Sequence, residues 1–332
     1  MHNAAVPRAA AIVFSSLLLC IFCISFAAES DGGYGIAAKW PAAGNDKWDY
    51  LAVDAPRHRL FVSRATHVQV FDLDSGQSVG NIADTPGVHG IALAADLNRG
   101  FISNGKGDSV TVFDSETLAP LSVTKISGHD PDAILYDAPS HRVYTFNGHS
   151  SNATVIDART AREEGSIALP GSPEFARSDG QGHLFVNIED KALLLRIDVS
   201  TNAISATWPL APCVEPTGLA LDVARHRVFS ACHNQRLIVT DSESGMRVAE
   251  LPIGRHVDAA AFDPVTSRLF TSNGDSADVT IIAAPSADHY QVIGSLKTAP
   301  GAKTMALDLA THRIYVPTLT PAGMQVLVGA PQ

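Results

Sequence analysis

The sequence predicts an all-β fold, a seven-bladed β-propeller in which each blade contains four antiparallel strands. Three observations lead to this prediction: a repeat of about 42 residues that occurs seven times, short β-branched and aromatic segments inside it, and no helix-length periodic segment between them. The chain has 332 residues and an apolar fraction of 45%, which is enough for a continuous core. We therefore expect one closed domain rather than two.

An aromatic residue on the second strand identifies each repeat. These residues are Phe61, Phe101, Tyr144, Phe185, Phe229, Phe270 and Tyr315. They are separated by 40, 43, 41, 44, 41 and 45 residues. Arginine stands two positions before the aromatic residue in six repeats, with His183 as the exception, and aspartate opens the preceding turn in five repeats. This regularity predicts seven equivalent structural units.

The segments around the aromatic residue predict four strands per repeat. The first strand carries a small residue in six repeats and Leu135 in the other; the small residues are Ala52, Ala92, Ala176, Ala220, Ala261 and Ala306. Small side chains let first strands approach one another around the ring axis, and the aromatic residue fills the wider space between blades. Third strands are predicted over 68–72, 110–114, 153–157, 194–198 and 237–241, and fourth strands over 166–169 and 248–251.

The last repeat predicts how the ring closes. Residues 324–328 form its third strand, but the repeat lacks a fourth. Residues 35–40 are expected to supply that strand, because the segment that follows them, 41–44, resembles residues 298–301 after the fourth strand of the preceding repeat. A blade completed by an N-terminal strand leaves no long free edge.

The step from an aromatic and an apolar residue through a short loop to V-x-V-[FI]-D resembles the YVTN-type propeller repeat. Residues 101–118, FISNGKGDSVTVFDSETL, are the closest match within the chain, and the resemblance extends from about Gly35 onwards. Overall the chain resembles the periplasmic YncE-like proteins. The resemblance implies a propeller fold without a particular activity, and one family member is associated with DNA binding.

The N-terminus has the pattern of a secretory signal peptide, predicted over residues 1–27. Arg8 precedes the uncharged residues 9–24, and Ser25 and Ala27 occupy the −3 and −1 positions of a cleavage site. An uncleaved anchor is the alternative, although the apolar run is short for a membrane span. The predicted propeller, residues 28–332, would then be a periplasmic or secreted protein without a membrane span.

Charge and motif content narrow the functional classes. Lys and Arg number 24 against 34 Asp and Glu, a net charge of −10, whereas proteins that grip nucleic-acid phosphates usually show the opposite balance. The sequence contains no C-x-x-C-H, no G-x-S-x-G and no G-x-x-x-x-G-K-[ST] motif. Nucleic-acid binding, covalent haem attachment, serine hydrolysis of this type and phosphate-loop chemistry are therefore disfavoured.

The loops that enter the first strands, and those that join second to third strands, are expected on one face of the disc around the channel mouth. We call this the channel face. Its candidate ligand-binding residues are Asp49, His89, His129, Asp132, Glu174, Glu215, His256, Asp258 and Lys303. Five of them are carboxylates, which would either bind a cation or raise one another's pKa values. The alternative is that solvent in a wide channel mouth keeps them apart.

Histidines of the channel-face loops could form a transition-metal site with these carboxylates, and His149 and His233 are further members of that set. No pair has a metal-ligand spacing such as H-E-x-x-H, so no cofactor is expected, with a metal ion at the channel mouth as the alternative. Four other histidines occupy one repeat slot before the arginine and are expected to serve turns: His58, His141, His226 and His312.

Cys213 and Cys232 are the cysteines of the predicted exported chain. Cys213 precedes the first strand of the fifth blade and Cys232 ends its second strand, so the hairpin returns both to one face. A disulfide is expected in an oxidising compartment. Two free thiols, or a ligand set with His233, are the alternatives.

These observations predict an exported, non-catalytic and monomeric propeller that binds a small molecule, peptide or protein through its channel face. The alternative function is a metal-assisted hydrolase, resembling lactonases, that would use Asp, Glu and His at the channel mouth.

Overall fold

The computed structural model describes residues 1–3, 32–42 and 44–332. Most of the predicted signal peptide, including its cleavage site, lies outside these residues. The described chain forms seven sheets of four antiparallel strands, which confirms the predicted seven-bladed propeller. No helix within the described ranges is long and apolar enough to cross a membrane.

The first strand in the chain, β1 (Tyr34–Pro41), belongs to the last blade. The next strands fill blades in order. Blade 1 contains β2 (Leu51–Asp54), β3 (Arg59–Arg64), β4 (His67–Asp72) and β5 (Ser78–Ile82). Blade 2 contains β6 (Val88–Ala94), β7 (Arg99–Asn104), β8 (Ser109–Asp114) and β9 (Pro120–Lys125). Blade 3 contains β10 (Pro131–Asp137), β11 (Arg142–Asn147), β12 (Asn152–Asp157) and β13 (Arg162–Ala168).

The remaining blades repeat this order. Blade 4 contains β14 (Pro173–Ser178), β15 (His183–Ile188), β16 (Leu193–Asp198) and β17 (Ala203–Pro209). Blade 5 contains β18 (Pro216–Asp222), β19 (Arg227–Cys232), β20 (Arg236–Asp241) and β21 (Arg247–Pro252). Blade 6 contains β22 (Val257–Asp263), β23 (Arg268–Asn273), β24 (Asp278–Ser286) and β25 (His289–Lys297). Blade 7 contains β26 (Ala306–Asp308), β27 (Arg313–Thr320), β28 (Gly323–Pro331) and β1.

Short 3-10 turns follow five of these strands, at Ala55–Arg57, Ala95–Leu97, Gly105–Gly107, Glu189–Lys191 and Val223–Arg225. In the first of them the Asp54 side chain accepts a hydrogen bond from the backbone N–H of Arg57, and His58 ends the turn with a φ of 52°. The other three histidines of that repeat slot also have positive φ, between 52° and 59°. These histidines thus terminate turns, where a left-handed residue is required.

The middle strands of each blade are buried on both sides. Second and third strands such as β19 and β20 lie between neighbouring blades, whereas the outermost strands, such as β9, are mostly exposed. All seven repeat aromatic residues are at most 2% exposed. Sandwiching of the blades therefore accounts for the low charged fraction of 17%.

The first strands pack closely around the axis. A Cβ atom added to Gly218 on β18 would lie 2.7 Å from the backbone of Ala259 on β22, so neighbouring first strands leave no room for a side chain there. In six blades the first-strand residue at the repeat position that is alanine in most blades, and Leu135 in blade 3, lies directly opposite the repeat aromatic residue. In blade 4 the register is shifted by one, so that Arg177 is paired with Phe185.

The predicted ring closure is confirmed. Strand β1 is antiparallel to β28, from Tyr34 opposite Pro331 to Pro41 opposite Gln325. Its Tyr34 and Trp40 are buried, and the Trp40 ring lies 5.3 Å from the ring of Tyr315. The N-terminal strand therefore completes both the hydrogen bonds and the core of blade 7.

Candidate functional site

Tyr50 crosses the channel just below the channel face. It enters blade 1, yet its ring makes an edge contact with Phe175 of blade 4 at 5.2 Å, and its hydroxyl lies 3.5 Å from Oε1 of Glu174. Burial raises the pKa of Tyr50 well above its ordinary value, and the surrounding carboxylates raise it further. The hydroxyl is therefore protonated at neutral pH and donates toward Glu174.

His89 contacts carboxylates from two neighbouring segments, the one that enters blade 1 and the one that enters blade 3. Its Nδ1 lies 2.6 Å from Oδ2 of Asp49 and 3.5 Å from Oδ1 of Asp132, and its Nε2 lies 4.0 Å from Oδ1 of Asp130. Burial lowers the pKa of His89, but the hydrogen bond to Asp49 and the nearby carboxylate charges outweigh it, so the pKa is raised overall. His89 thus links the carboxylates of Asp49, Asp130 and Asp132.

Asp132 has an unsatisfied carboxylate oxygen. Its Oδ1 is buried and accepts no hydrogen bond, because Nδ1 of His89 makes its short contact with Asp49 instead. Burial, and then the charges of Asp49 and Asp258, raise the pKa of Asp132 well above its ordinary value. A buried acceptor in this state is costly until a cation or donor satisfies it.

Two further carboxylates complete the group on the channel face. Burial, and then the charges of Asp132 and Asp258, raise the pKa of Glu174 well above its ordinary value. Burial also raises the pKa of Asp258, although the Lys303 ammonium, 2.7 Å away, opposes this. We call the set Asp49, His89, Asp132, Glu174, Asp258 and Lys303 the channel-face cluster.

A second group of ionisable residues lies on the loops of blades 4 and 5. Glu189, Glu215 and His233 place one donor atom each within 4.8 Å of one another, and Nδ1 of His233 lies 2.9 Å from Oε2 of Glu215. The rings of His233 and His256 stack at 5.0 Å. Burial raises the pKa of Glu189.

The sequence-predicted site residues thus separate into three sets. Six form the channel-face cluster, and Glu215 and His256 join His233 in the second group. His129 lies outside both: its Nδ1 pairs with Oδ2 of Asp108 at 3.0 Å, and its side chain is 66% exposed. Among the described residues His129 pairs with Asp108 and not with the channel-face cluster.

Sequence reasoning missed Tyr50, Asp130, Glu189 and Arg177. Tyr50 is adjacent to Asp49, and Asp130 lies between His129 and Asp132 in the sequence. The prediction therefore named residues of these loops but not these two side chains. Arg177 had a visible signal, since it occupies a first-strand slot that is apolar in the other repeats. The residues there are Val53, Leu93, Tyr136, Leu221, Phe262 and Leu307.

The donor atoms of Asp49, His89 and Asp132 also lie within 4.8 Å of one another. One imidazole nitrogen and two carboxylate oxygens suit a transition-metal ion, and carboxylates alone suit harder cations. The cluster can therefore hold a positive charge by direct ligation or by ion pairing.

Glu174→Gln is expected to raise the Tm of the cation-free protein at neutral pH. A carboxyl group whose pKa is raised by folding stabilises the fold below its unfolded pKa, and this stabilisation is lost as pH rises through its folded pKa. The neutral amide removes that loss, so Tm at pH 7.5 should rise by about 2–4 °C, and the difference should disappear near pH 4.

Thermal melts of both proteins across this pH range would check the expectation. Glu243→Gln, at an exposed turn, is the matched control and should leave the pH profile unchanged. A Glu174→Gln protein with the wild-type Tm at every pH would show that the carboxylate is not under strain.

Comparisons with solved structures agree with the fold described above, a seven-bladed β-propeller. The chain is similar to Kuenenia stuttgartiensis hydrazine synthase, with a TM-score of 0.74 and 16% identity over 90% of this chain and 99% of that one. It is similar to U3-55K at TM-score 0.77 and 7% identity, covering 90% and 99% of the two chains. It is also similar to the RRP9 WD40 repeats, with a TM-score of 0.76 and 7% identity over 91% of this chain and 98% of that one.

At these identities the likeness concerns the fold alone. No protein-family model matches the sequence, and no curated relative matches it.

Proposed function

We propose that the protein is an exported binding scaffold that takes a cationic ligand at the channel-face cluster. One observation carries this proposal: Oδ1 of Asp132 is buried among carboxylates and accepts no hydrogen bond. A ligand that brings positive charge or N–H donors would satisfy this oxygen. The propeller fold supports the proposal, because propellers commonly bind their partners around the channel.

The charge balance of the cluster supports the same conclusion. Four acidic side chains, those of Asp49, Asp132, Glu174 and Asp258, face one lysine, Lys303, and one histidine, His89. Lys303 is committed to Asp258 at 2.7 Å and His89 to Asp49 at 2.6 Å. Among the described residues, Asp132 has only the longer 3.5 Å contact with His89, and Glu174 accepts only the Tyr50 hydroxyl at 3.5 Å, so both retain acceptor capacity for a ligand. Their burial strengthens its attraction because the local dielectric is low.

Export rests on three features. The N-terminal residues have the pattern of a signal peptide, the structure joins Cys213 to Cys232 with Cα atoms 5.4 Å apart, and the repeats resemble those of YncE-like periplasmic proteins. Disulfides persist in oxidising compartments, so the cysteine pair fits a periplasmic or secreted location.

A metal-assisted hydrolase is the second candidate function, favoured by the donor set of Asp49, His89 and Asp132. A bound metal ion would supply a hydroxide nucleophile from water. If the protein is such a hydrolase, Tyr50 would orient a substrate oxygen. His89 would bind the metal ion and also hold the segments of Asp49 and Asp132 together. Hydrolysis of a lactone only in the presence of metal, and its loss in His89→Ala, would favour this candidate over the scaffold.

Calorimetric titration of the chelator-treated protein tests the proposed function. We expect saturable binding of at least one of Ca²⁺, Mn²⁺, Zn²⁺ or putrescine, with a rise in Tm at saturating ligand. Asp132→Asn should weaken that binding at least tenfold, because a neutral amide replaces the carboxylate whose Oδ1 accepts no hydrogen bond.

Asp74→Asn is the matched control, since Asp74 also pairs with a histidine, His58, but is 74% exposed and belongs to a turn after the third strand. It should bind like the wild type. If none of the four cations binds or raises Tm, or if both asparagine variants bind equally well, the cluster is not a cation site.

A further inference from the structure

A cavity occupies the channel on the far side of Tyr50 from the channel-face cluster. It has a volume of about 400 Å³ and is lined by the first strands of all seven blades. Tyr50 and Phe175 lie at the end toward the channel face. Leu309, which follows the last first strand and is 52% exposed, lies at the opposite end, so solvent reaches the cavity from there.

Arg177 is the one charged residue among the described residues that line this cavity. The walls around it are mostly glycine, alanine, methionine, branched aliphatic and aromatic residues, with Ser178 as a further polar residue. Arginine in this slot breaks a repeat pattern that is otherwise apolar, and the shifted register of blade 4 accompanies it. The side chains that line the cavity are therefore mostly apolar, with a single guanidinium among them, and backbone groups of the first strands add polar surface between them.

The guanidinium has few partners in the protein. Its Cζ lies 4.2 Å from the centre of the Phe175 ring, and Nη1 donates to the backbone oxygen of Ala176 at 3.3 Å. Among the described residues no carboxylate forms an ion pair with it. Arginine has five N–H donors in a planar fork, and among the described residues only one of them makes a hydrogen bond.

Arg177 keeps its charge in these surroundings. Burial lowers the pKa of Arg177 to about 10, which still leaves it protonated at neutral pH. A charge withdrawn from water without a counter-ion is unfavourable, and an anion that enters the cavity would relieve this cost.

We propose that this cavity binds a small organic carboxylate, whose charged end pairs with Arg177 and whose apolar part fills the chamber. The planar fork of arginine matches a carboxylate through two parallel N–H···O bonds. The apolar wall distinguishes such a ligand from inorganic anions, which would leave it uncovered. The site differs in charge and position from the channel-face cluster and does not depend on the function proposed for it.

Calorimetric titration with octanoate tests the proposal, with octan-1-ol and octylammonium as probes of the same chain length. We expect saturable binding of one octanoate per protein, at least tenfold tighter than octan-1-ol, and none of octylammonium. Arg177→Met should weaken octanoate binding at least tenfold, whereas Arg177→Lys, which keeps the charge but not the fork, should weaken it less.

Arg196→Met is the matched control, because Arg196 also stacks on an aromatic ring of blade 4, Trp208 at 5.5 Å, but does not line the cavity. It should bind octanoate like the wild type. A purely structural Arg177 would make Arg177→Met less stable, whereas removal of an unpaired charge should leave its Tm unchanged or raised.

Three results would overturn the proposal. They are the absence of saturable octanoate binding, equal binding of octanoate and octan-1-ol, and wild-type octanoate affinity in Arg177→Met. Sulfate that competes with octanoate at equal concentration would also overturn it, since the apolar wall would then contribute nothing. If Arg177→Met does not fold, a smaller loss of octanoate affinity in Arg177→Lys than in Arg177→Gln supports the charge pairing, and unchanged affinity in Arg177→Gln refutes it.

Discussion

A chain that starts at Gly44 is expected to lose cooperative folding, whereas a chain that starts at residue 28 keeps it. The shorter chain lacks β1, so one edge of β28 loses its partner and the core loses Tyr34 and Trp40, which are 0% and 7% exposed. Removing one large buried aromatic side chain costs about 3–5 kcal/mol. The loss of two such side chains and of a whole strand is comparable to the entire 5–15 kcal/mol by which a typical domain is stable.

Circular dichroism and calorimetric melts of the two chains would measure this effect. Trp40→Ala provides a graded version, with an expected fall in Tm of roughly 8 °C or more from the loss of one ring. The ring packs on Tyr315 and Phe71, so it connects blade 7 with blade 1. A chain from Gly44 that melts cooperatively within about 3 °C of the longer chain would contradict the role of β1 in closing the ring.

The second large effect is expected from the cysteine pair. Replacing Cys213 and Cys232 together by alanine opens a loop with a sequence separation of 19, and chain entropy alone predicts a loss of about 3 kcal/mol. Both side chains are buried, so the cavity left by the two sulfur atoms adds to the loss. We expect Tm to fall by roughly 6–12 °C in non-reducing buffer.

Reductant supplies the control for this prediction. It should lower the Tm of the wild-type chain but leave the double alanine variant unchanged, because the variant has no bond to break. Intact mass after alkylation provides an independent measurement: the unreduced chain from residue 28 should take up no alkyl group and the reduced chain two. Alkylation of both thiols without reductant would show that the bridge does not form.

Much of the fold could be predicted because the repeat records backbone geometry locally. The segment predicted as the third strand of the second repeat, 110–114, agrees with β8 to within one residue. Ring closure was predictable for the same reason, since residues 41–44 resemble a segment that follows a fourth strand elsewhere in the chain. The position of a strand depends on alternating burial and on turn residues, and both can be recognised from a few neighbouring residues in the sequence.

The details of the site depend on distances across the ring, which the repeat does not record. The loop that carries Asp49 and Tyr50 could be assigned to the channel face, but not the reach of Tyr50 to blade 4. His129 and His89 occupy similar loops, yet only His89 turns toward the axis, because each side chain follows its own local partner. The sequence shows that Arg177 departs from the repeat pattern. It does not show that Arg177 lacks an ion-pair partner.

The pairing of β1 with β28 also governs when the molecule can become complete. Tyr34 pairs with Pro331 and is synthesised long before it. The ring therefore remains open while the blades between them are produced. Contacts this distant in sequence form late, because the entropy of closing so long a loop must be overcome first. Until then blade 7 has a free strand edge and blades 1 and 6 are exposed on one side. The ring of a nascent chain therefore cannot close until β28 has been synthesised.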